Sequence, residues 1–347
     1  MKSLAGLEPP VRSSVIASDV PDSMLRIMNR WARALPSALA LLALTAAIAA
    51  AAGPPFPDPV NDQAVYDTAG ILSPAAEQQL ETTIDAIEAR SGAEGLEVYT
   101  IGLGSNLLIA DEGVDGLALR LEGELATAGV EGELLVAGGG ATNAVCLHRT
   151  RAAGLGGFEF ACAIPGTVGG GVQMNAGAYG GDWKQILVRA LVVTADGSAW
   201  RTPEELGLEY RRSSLGPGDV VARAEFRLAP KPPEEIKETV ADLQARRKAA
   251  QPTNKRTFGS VFKNPEHELS SGRMLEACGL RGHRIGGAQI SPRHANFIEN
   301  AGDARAVDAI ALMAEARRRA LEQFGVELEH EVRFFGDLEL PPAGETL

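Results

Sequence analysis

Residues 162–181 hold seven glycines and almost no charge. Glycine at that density is out of place in a helix interior or a plain strand, because it loses the most backbone entropy and packs no side chain. It suits a backbone that turns sharply and lets something come close. Bare N–H groups then become available, and clustered N–H groups suit an anion such as a pyrophosphate. A flexible linker is the bland alternative, but linkers are Ser-rich and polar. This stretch interleaves Ile164, Val168, Val172, Met174 and Tyr179, so it reads as packed. A second turn, Gly102-Leu-Gly-Ser-Asn106, follows a strand and adds two side-chain hydrogen-bonding groups. It lacks the third glycine and the helix of a dinucleotide fingerprint, and a tight hairpin turn explains it as well. A third cluster, Gly259-Ser-Val-Phe-Lys-Asn-Pro265, brings a hydroxyl, a cation and an amide into seven residues.

The elements that must carry these turns read as α+β. Strands are expected at 96–101 and 134–137, and a helix at about 141–153. A hairpin at 186–200 turns at Asp196-Gly197. A helix spans 233–250, with Ile236, Val240 and Leu243 on one face and a basic end. A long helix runs from a cap at Asp303 to about Phe324, and residues 328–336 form a final strand. The 347 residues imply two or three domains, with a core that needs no disulfide staples. Cys146, Cys162 and Cys278 lie far apart without CxxC spacing, so neither a zinc site nor a disulfide framework is indicated. A net charge of −12 argues against nucleic acid as the main partner.

The first 57 residues differ from the rest. Arg26, Arg30 and Arg33 precede an almost uncharged Ala/Leu run over 35–52. That is the layout of a secretory signal peptide, with Met24 or Met28 as an alternative start and a membrane anchor as the runner-up. Residues 58–100 resemble the opening of a TPM domain, on the string Val60-Asn-Asp-Gln-Ala-Val-Tyr-Asp-Thr-Ala-Gly-Ile-Leu-Ser73 followed by a helix over 74–91.

From residue 100 to 336 the chain resembles the UDP-N-acetylenolpyruvoylglucosamine reductase family. Seven motifs occur in the family's order: Gly-Leu-Gly-Ser-Asn106, Ile164-Pro-Gly-Thr-Val-Gly-Gly170 with Met174-Asn-Ala-Gly-Ala-Tyr-Gly180, Tyr210-Arg-Arg-Ser213, the 259–265 cluster, Arg284-Ile-Gly-Gly-Ala-Gln289, His294-Ala-Asn-Phe297 and Glu331-Val-Arg333. The resemblance implies an FAD-binding domain of the vanillyl-alcohol-oxidase (PCMH) type over 101–228. A smaller α+β substrate domain over 229–347 would follow it. It implies that Gly102, Gly104, Ser105, Asn106, Pro165, Gly166, Thr167, Gly169 and Gly170 meet the FAD pyrophosphate. Asn175, Gly177 and Ala178 would line the flavin. NADPH is the implied reductant, with UDP-N-acetylglucosamine enolpyruvate taking a hydride at C3 and a proton at C2. Arg211 and Glu331 match the pair on the substrate carboxylate, and Ser260 matches the proton donor. Tyr210, Lys263, Asn264 and His294 match substrate contacts. Taken alone, Arg211 reads as a surface arginine, Ser260 as a turn cap, Glu331 as a solvated strand residue and His294 as a structural histidine.

The family's usual opening, an Asn-Thr-rich segment with Arg-x-Gly-Gly-Pro-Ala and a strand, is not found. The FAD domain is therefore expected to be truncated at its start, with a gap in its sheet and unpaired edges. Location divides as well: the reaction's substrates are cytoplasmic, whereas a leader over 26–52 would place the chain in a membrane or outside. Three readings compete: an active flavin reductase, a fusion that binds FAD poorly, and an exported TPM-type interaction module with an incidental tail.

Overall fold

The computed structural model describes residues 14–17, 97–194 and 197–343. The 26–52 leader, the string at 60–73 and the helix expected over 74–91 lie outside the described residues. Among those that are described, no helix is long and apolar enough to cross a membrane.

The first half is built on two sheets. Strands β1 (Ser14–Ala17), β2 (Glu97–Thr100) and β4 (Gly116–Leu121) form a parallel sheet in the order β1-β4-β2. Residues 102–106 are therefore no hairpin turn: the strand after them, β3 (Leu107–Ile109), leaves that sheet. Where a gap in the sheet was expected, β4 has a partner on each side, one of them residues 14–17, which no local pattern marks as a strand. A five-stranded antiparallel sheet is formed by β5 (Ala128–Glu131), β6 (Leu134–Gly138), β7 (Leu187–Thr194), β8 (Gly197–Arg201) and β9 (Val220–Arg227), in the order β8-β7-β9-β6-β5. Strand β9 feeds a core on each face. Val220 and Ala222 join Leu119, Leu121 and Leu125, while Val221, Ala224 and Phe226 join a larger core around Phe158, Phe160 and Trp183.

Helix α1 (Asn143–Ala152) is capped by the Thr142 hydroxyl, which accepts the Val145 N–H. Helix α2 (Val168–Gln173) lies inside the glycine-rich stretch, where no helix was expected. Packing explains the override of propensity. A Cβ at Gly171 would stand 2.6 Å from the Trp183 ring, so the helix docks on that aromatic face only with glycine there. Helix α3 (Pro233–Ala250) has the expected bounds but not the expected partners. It packs on the segment 159–163 and on α1, and Lys231 just before it pairs with Glu159 at 2.8 Å. This helix, assigned by sequence to the substrate domain, belongs structurally to the first half.

The second half has its own core, with Phe258, Met274, Leu312, Met313 and Leu328 among its members. Its sheet runs β10 (Thr257–Ser260), β13 (Phe297–Asn300), β12 (Ala288–Ile290), β11 (Arg284–Ile285), with α4 (Ser271–Ala277) and α5 (Ala306–Phe324) packed on it. The cap of α5 is Arg305 rather than Asp303. Asp308 accepts the Arg305 N–H, and Asp111 from the first half accepts the Ala306 N–H at 2.9 Å. The final strand is shorter than expected. It is β14 (Arg333–Phe335), and it pairs in parallel with β3, joining the two halves.

Candidate active site

A cavity of about 350 Å³ opens in the first half between residues 102–103, the Gly139–Gly140 backbone and the start of α2. Its floor is main chain. A Cβ at Gly139 would lie 1.7 Å from the Val221 carbonyl oxygen, and one at Gly140 would lie 2.3 Å from that of Leu121. Gly102, Thr167, Gly169 and Gly170 line it, as the motifs imply. Gly169 gives its N–H to the Gly139 carbonyl at 2.7 Å, so it builds the floor and offers no donor. The N–H group of Gly170 has no acceptor among the described residues, nor has that of Gly104, which stands in the adjoining turn and not on the cavity wall. A floor without side chains and with open N–H groups fits a dinucleotide pyrophosphate.

Three residues expected at the cofactor turn their side chains into the protein. The Ser105 hydroxyl donates to the Pro165 carbonyl and ties the two glycine turns together. Asn106 Nδ2 donates to the Glu331 carbonyl at 2.8 Å. Asn175 is buried; its Nδ2 donates to the Glu209 carbonyl at 2.8 Å and its Oδ1 accepts the Lys184 N–H at 2.9 Å. These groups fix the turns and leave ligand contact there to the backbone.

A charged centre lies where the halves meet. Arg211 Nε stands 3.1 Å from Glu331 Oε2, with both side chains mostly buried at 21% and 13% exposure. Arg211 also donates to the Gly177 and Asn175 carbonyls, at 2.5 and 3.5 Å. Glycine at 177 is set by its neighbours, since a Cβ there would lie 2.7 Å from the Gly181 carbonyl oxygen, and it also leaves room for the guanidinium, which would stand 3.1 Å away. The guanidinium rests 5.0 Å over the Tyr210 ring. Arg211 has φ +54°, and Asn175 and Tyr179 beside it have φ +37° and +51°. Left-handed backbone at three non-glycine residues is strain that the surrounding structure must hold, and such strain gathers at working sites. Burial pushes the Glu331 carboxyl above its ordinary range, against the pull of Arg211.

Ser260 ends β10, next to Val261, whose carbonyl accepts the Glu331 N–H at 2.9 Å. A Cβ at Gly259 would stand 3.2 Å from the Ser105 carbonyl, so the hydroxyl motif lies directly on the first glycine turn. Arg211 and Glu331 thus pair directly, and Ser260 stands one residue before the carbonyl that holds the Glu331 backbone, so three distant parts of the chain converge. Lys263 pairs with Glu329, and its charge is felt at Glu331. The Asn264 N–H meets the Tyr210 hydroxyl at 3.4 Å, while Asn264 Oδ1 accepts from Ser271 at 3.1 Å. His294 is set apart: its Nδ1 accepts the Asn296 N–H, its ring packs on Phe297, and burial lowers its pKa. No contact joins it to Arg211, Glu331 or Ser260 among the described residues.

Sequence reasoning missed the Gly138–Gly140 floor as part of the site, although the triple glycine was visible. It also missed Thr142, Gln173 and Asp219 on the cavity wall, and Leu103, which stands inside the first motif but was not singled out from it. Arg333 is a further case. Burial lowers its pKa, and its guanidinium has no partner among the described residues.

Comparison with known proteins adds kinship to this geometry. Residues 68–203 match the FAD binding domain family, and residues 251–335 match the UDP-N-acetylenolpyruvoylglucosamine reductase C-terminal domain family. The chain is 46% identical over 248 residues to UDP-N-acetylenolpyruvoylglucosamine reductase 2 of Symbiobacterium thermophilum, covering 71% of this chain and 80% of that one. It is 42% identical over 289 residues to the reductase of Rubrobacter xylanophilus, covering 81% and 95%. The crystal structure of the reductase from Thermus caldophilus superposes with a TM-score of 0.62 at 38% identity, covering 72% of this chain and 89% of that one.

Proposed function

We infer the reaction from the premise that the chain belongs to the UDP-N-acetylenolpyruvoylglucosamine reductase family. It is an NADPH-dependent, FAD-containing oxidoreductase that reduces UDP-N-acetylglucosamine enolpyruvate to UDP-N-acetylmuramate, a step of peptidoglycan precursor synthesis. FAD, held by the backbone of residues 102–106 and 165–170, would supply the hydride chemistry that links NADPH to C3 of the enolpyruvyl group.

The chain's own residues handle charge and the proton. The glycine-floored cleft holds the cofactor pyrophosphate, with residues 102–106 on one side and 165–170 on the other. Adding hydride at C3 loads negative charge onto the enolpyruvyl carboxylate. A cation already aimed there stabilises that charge most in the transition state. Arg211 is assigned this role, because carbonyl acceptors and Glu331 pre-set its guanidinium. Glu331 orients Arg211, and its raised pKa lets it face an anionic substrate group at lower cost than an ordinary carboxylate. Ser260 is the proton donor to C2; a hydroxyl is a weak acid and depends on close positioning beside a cation. Tyr210, Lys263 and Asn264 are assigned to the nucleotide-sugar side, and His294 to the frame around it. The observation that carries this reading is the Arg211–Glu331 pair held against the strand of Ser260.

The substrates place the enzyme in the cytoplasm, and its product ties it to cell-wall growth, cell shape and division. The test is a half-reaction split. Ser260→Ala keeps its flavin and its bleaching by NADPH but loses turnover of the enolpyruvyl substrate. Equal loss of both half-reactions, or a folded wild-type protein that purifies colourless, would sink the reading.

A further inference from the structure

Asn106 belongs to the glycine turn, yet its side chain serves the charged centre. Its Nδ2 donates to the Glu331 carbonyl at 2.8 Å, and its own carbonyl accepts the Arg333 N–H at 3.0 Å. The Glu331 N–H is held by the Val261 carbonyl at 2.9 Å. Val261 is fixed in turn, since its N–H donates to the Asn296 carbonyl at 3.0 Å. The Asn296 amide clamps Phe262 from both sides, with its Oδ1 accepting the Phe262 N–H at 2.9 Å and its Nδ2 donating to the Phe262 carbonyl at 2.8 Å. Glu331 therefore hangs between two anchors. One is the strand of Ser260, and the other is the cofactor turn. Glu331 stands two residues before β14, and an antiparallel bridge between His330 and Phe262, with the Lys263 N–H donating to the Glu329 carbonyl at 2.8 Å, completes the hold from the strand of Ser260.

We propose that Asn106 is a positioning residue that sets Glu331, and through it Arg211, from the cofactor turn. This deepens the assigned reaction and rests on Glu331 and Arg211 acting as described above. An amide suits the post. It offers an N–H to the carbonyl and places no charge near a carboxyl whose protonation already matters. Its Oδ1 has no partner among the described residues. Occupation of the turn and orientation of the catalytic pair are then two ends of one linkage. The Ser105 hydroxyl, bonded to the Pro165 carbonyl, keeps that linkage attached to the second glycine turn.

The experiment compares Asn106→Ala and Asn106→Asp with Glu331→Gln and wild type, each as the full chain reconstituted with FAD. Bound flavin is read by absorbance, flavin reduction by NADPH and re-oxidation by the enolpyruvyl substrate by stopped flow, and the pH profile of re-oxidation separately. Asn106→Ala should hold FAD and bleach with NADPH at near wild-type rates, while re-oxidation slows about ten- to a hundredfold, as expected for misplacement of a catalytic group. Asn106→Asp keeps the shape but sets a carboxylate against the Glu331 carbonyl. It should slow re-oxidation at least as much and shift its pH profile upward, because a nearby negative charge favours the protonated Glu331. The inference is overturned if Asn106→Ala re-oxidises normally while Glu331→Gln does not, or if the alanine variant's whole defect is lost FAD. Normal re-oxidation in Glu331→Gln would instead overturn the role assigned to Glu331 itself.

Discussion

In the cleft, the Gly139 main chain lies so close to β9 that a Cβ would fall 1.7 Å from the Val221 carbonyl oxygen. In the charged centre, Arg211 and Glu331 meet through long side chains at 3.1 Å, and the Gly177 and Asn175 carbonyls take two more of the five guanidinium N–H groups. One region excludes side chains to expose backbone; the other enlists side chains and strains the backbone to aim them. The two should therefore break differently. The cleft is sensitive to added volume and the centre to lost charge. A variant in the first region should cost the cofactor, and one in the second should cost the reaction while the cofactor stays.

The largest effect is expected at Gly139→Ala. The new methyl meets backbone, which cannot swing aside, so overpacking should reach about 3 kcal/mol or more. Folded protein should fall sharply in thermal unfolding, and what remains should be colourless. Gly170→Ala is the paired control, because its Cβ would meet only the Thr167 hydroxyl at 3.7 Å. Equal tolerance of both substitutions would mean that the cleft floor is not rigid.

Next comes Arg211→Met. It removes the cation and leaves Glu331 buried without a partner. Re-oxidation by substrate should fall about 10²–10³-fold, the scale seen when one transition-state charge contact is removed. FAD content and NADPH bleaching should survive. Loss of bound FAD in this variant would erase the distinction between the two regions.

That distinction also marks how far the sequence could be read. Periodicity located α3 and the β7–β8 hairpin closely, because local pattern and local structure agree there. Ordered motifs singled out Arg211, Ser260 and Glu331, although nothing in their own neighbourhoods raised them above surface residues. What stayed hidden was decided by distant partners. Helix α2 forms because Gly171 meets Trp183, and α3 sits on the first half because Lys231 finds Glu159. Asp111, some two hundred residues upstream, helps cap α5, which no local cap rule could reveal. The C-terminal family match begins at residue 251, where α3 ends.

A smaller effect, outside both regions, serves as a control on the comparison. Lys231→Met breaks the 2.8 Å pair with Glu159, whose carboxylate also accepts the Gly157 N–H at 2.6 Å. Burial alone would raise the Glu159 pKa, but the hydrogen bonds from Lys231 and the backbone more than offset it and hold it low. A depressed carboxyl stabilises the fold above its unfolded pKa and loses that contribution as pH falls through the folded value. The variant should lose about 1–2 kcal/mol, between the exposed and buried limits for ion pairs. Its deficit should shrink in acid, with both half-reactions unchanged near neutrality.

The smallest effect is one of slope, and its sign is opposite. Burial raises the Glu331 carboxyl in spite of Arg211. For a carboxyl raised in the folded state, the folded protein binds the proton more tightly than the unfolded chain. Its contribution is therefore fully present below the ordinary carboxyl pKa and lost as pH rises through the folded one. Glu331→Gln cannot ionise, so stability measured as wild type minus variant should fall with rising pH across that window and level off above it. Leaving Arg211 without a carboxylate offsets the curve but adds no slope in that window. Melting temperatures of the two proteins at matched pH values read this directly. A difference that grows in favour of wild type as pH rises would mean that the pull of Arg211 outweighs burial. Glu331 would then be an ordinary carboxylate, and the centre, like Glu159, would be held together by charge rather than set up at a cost.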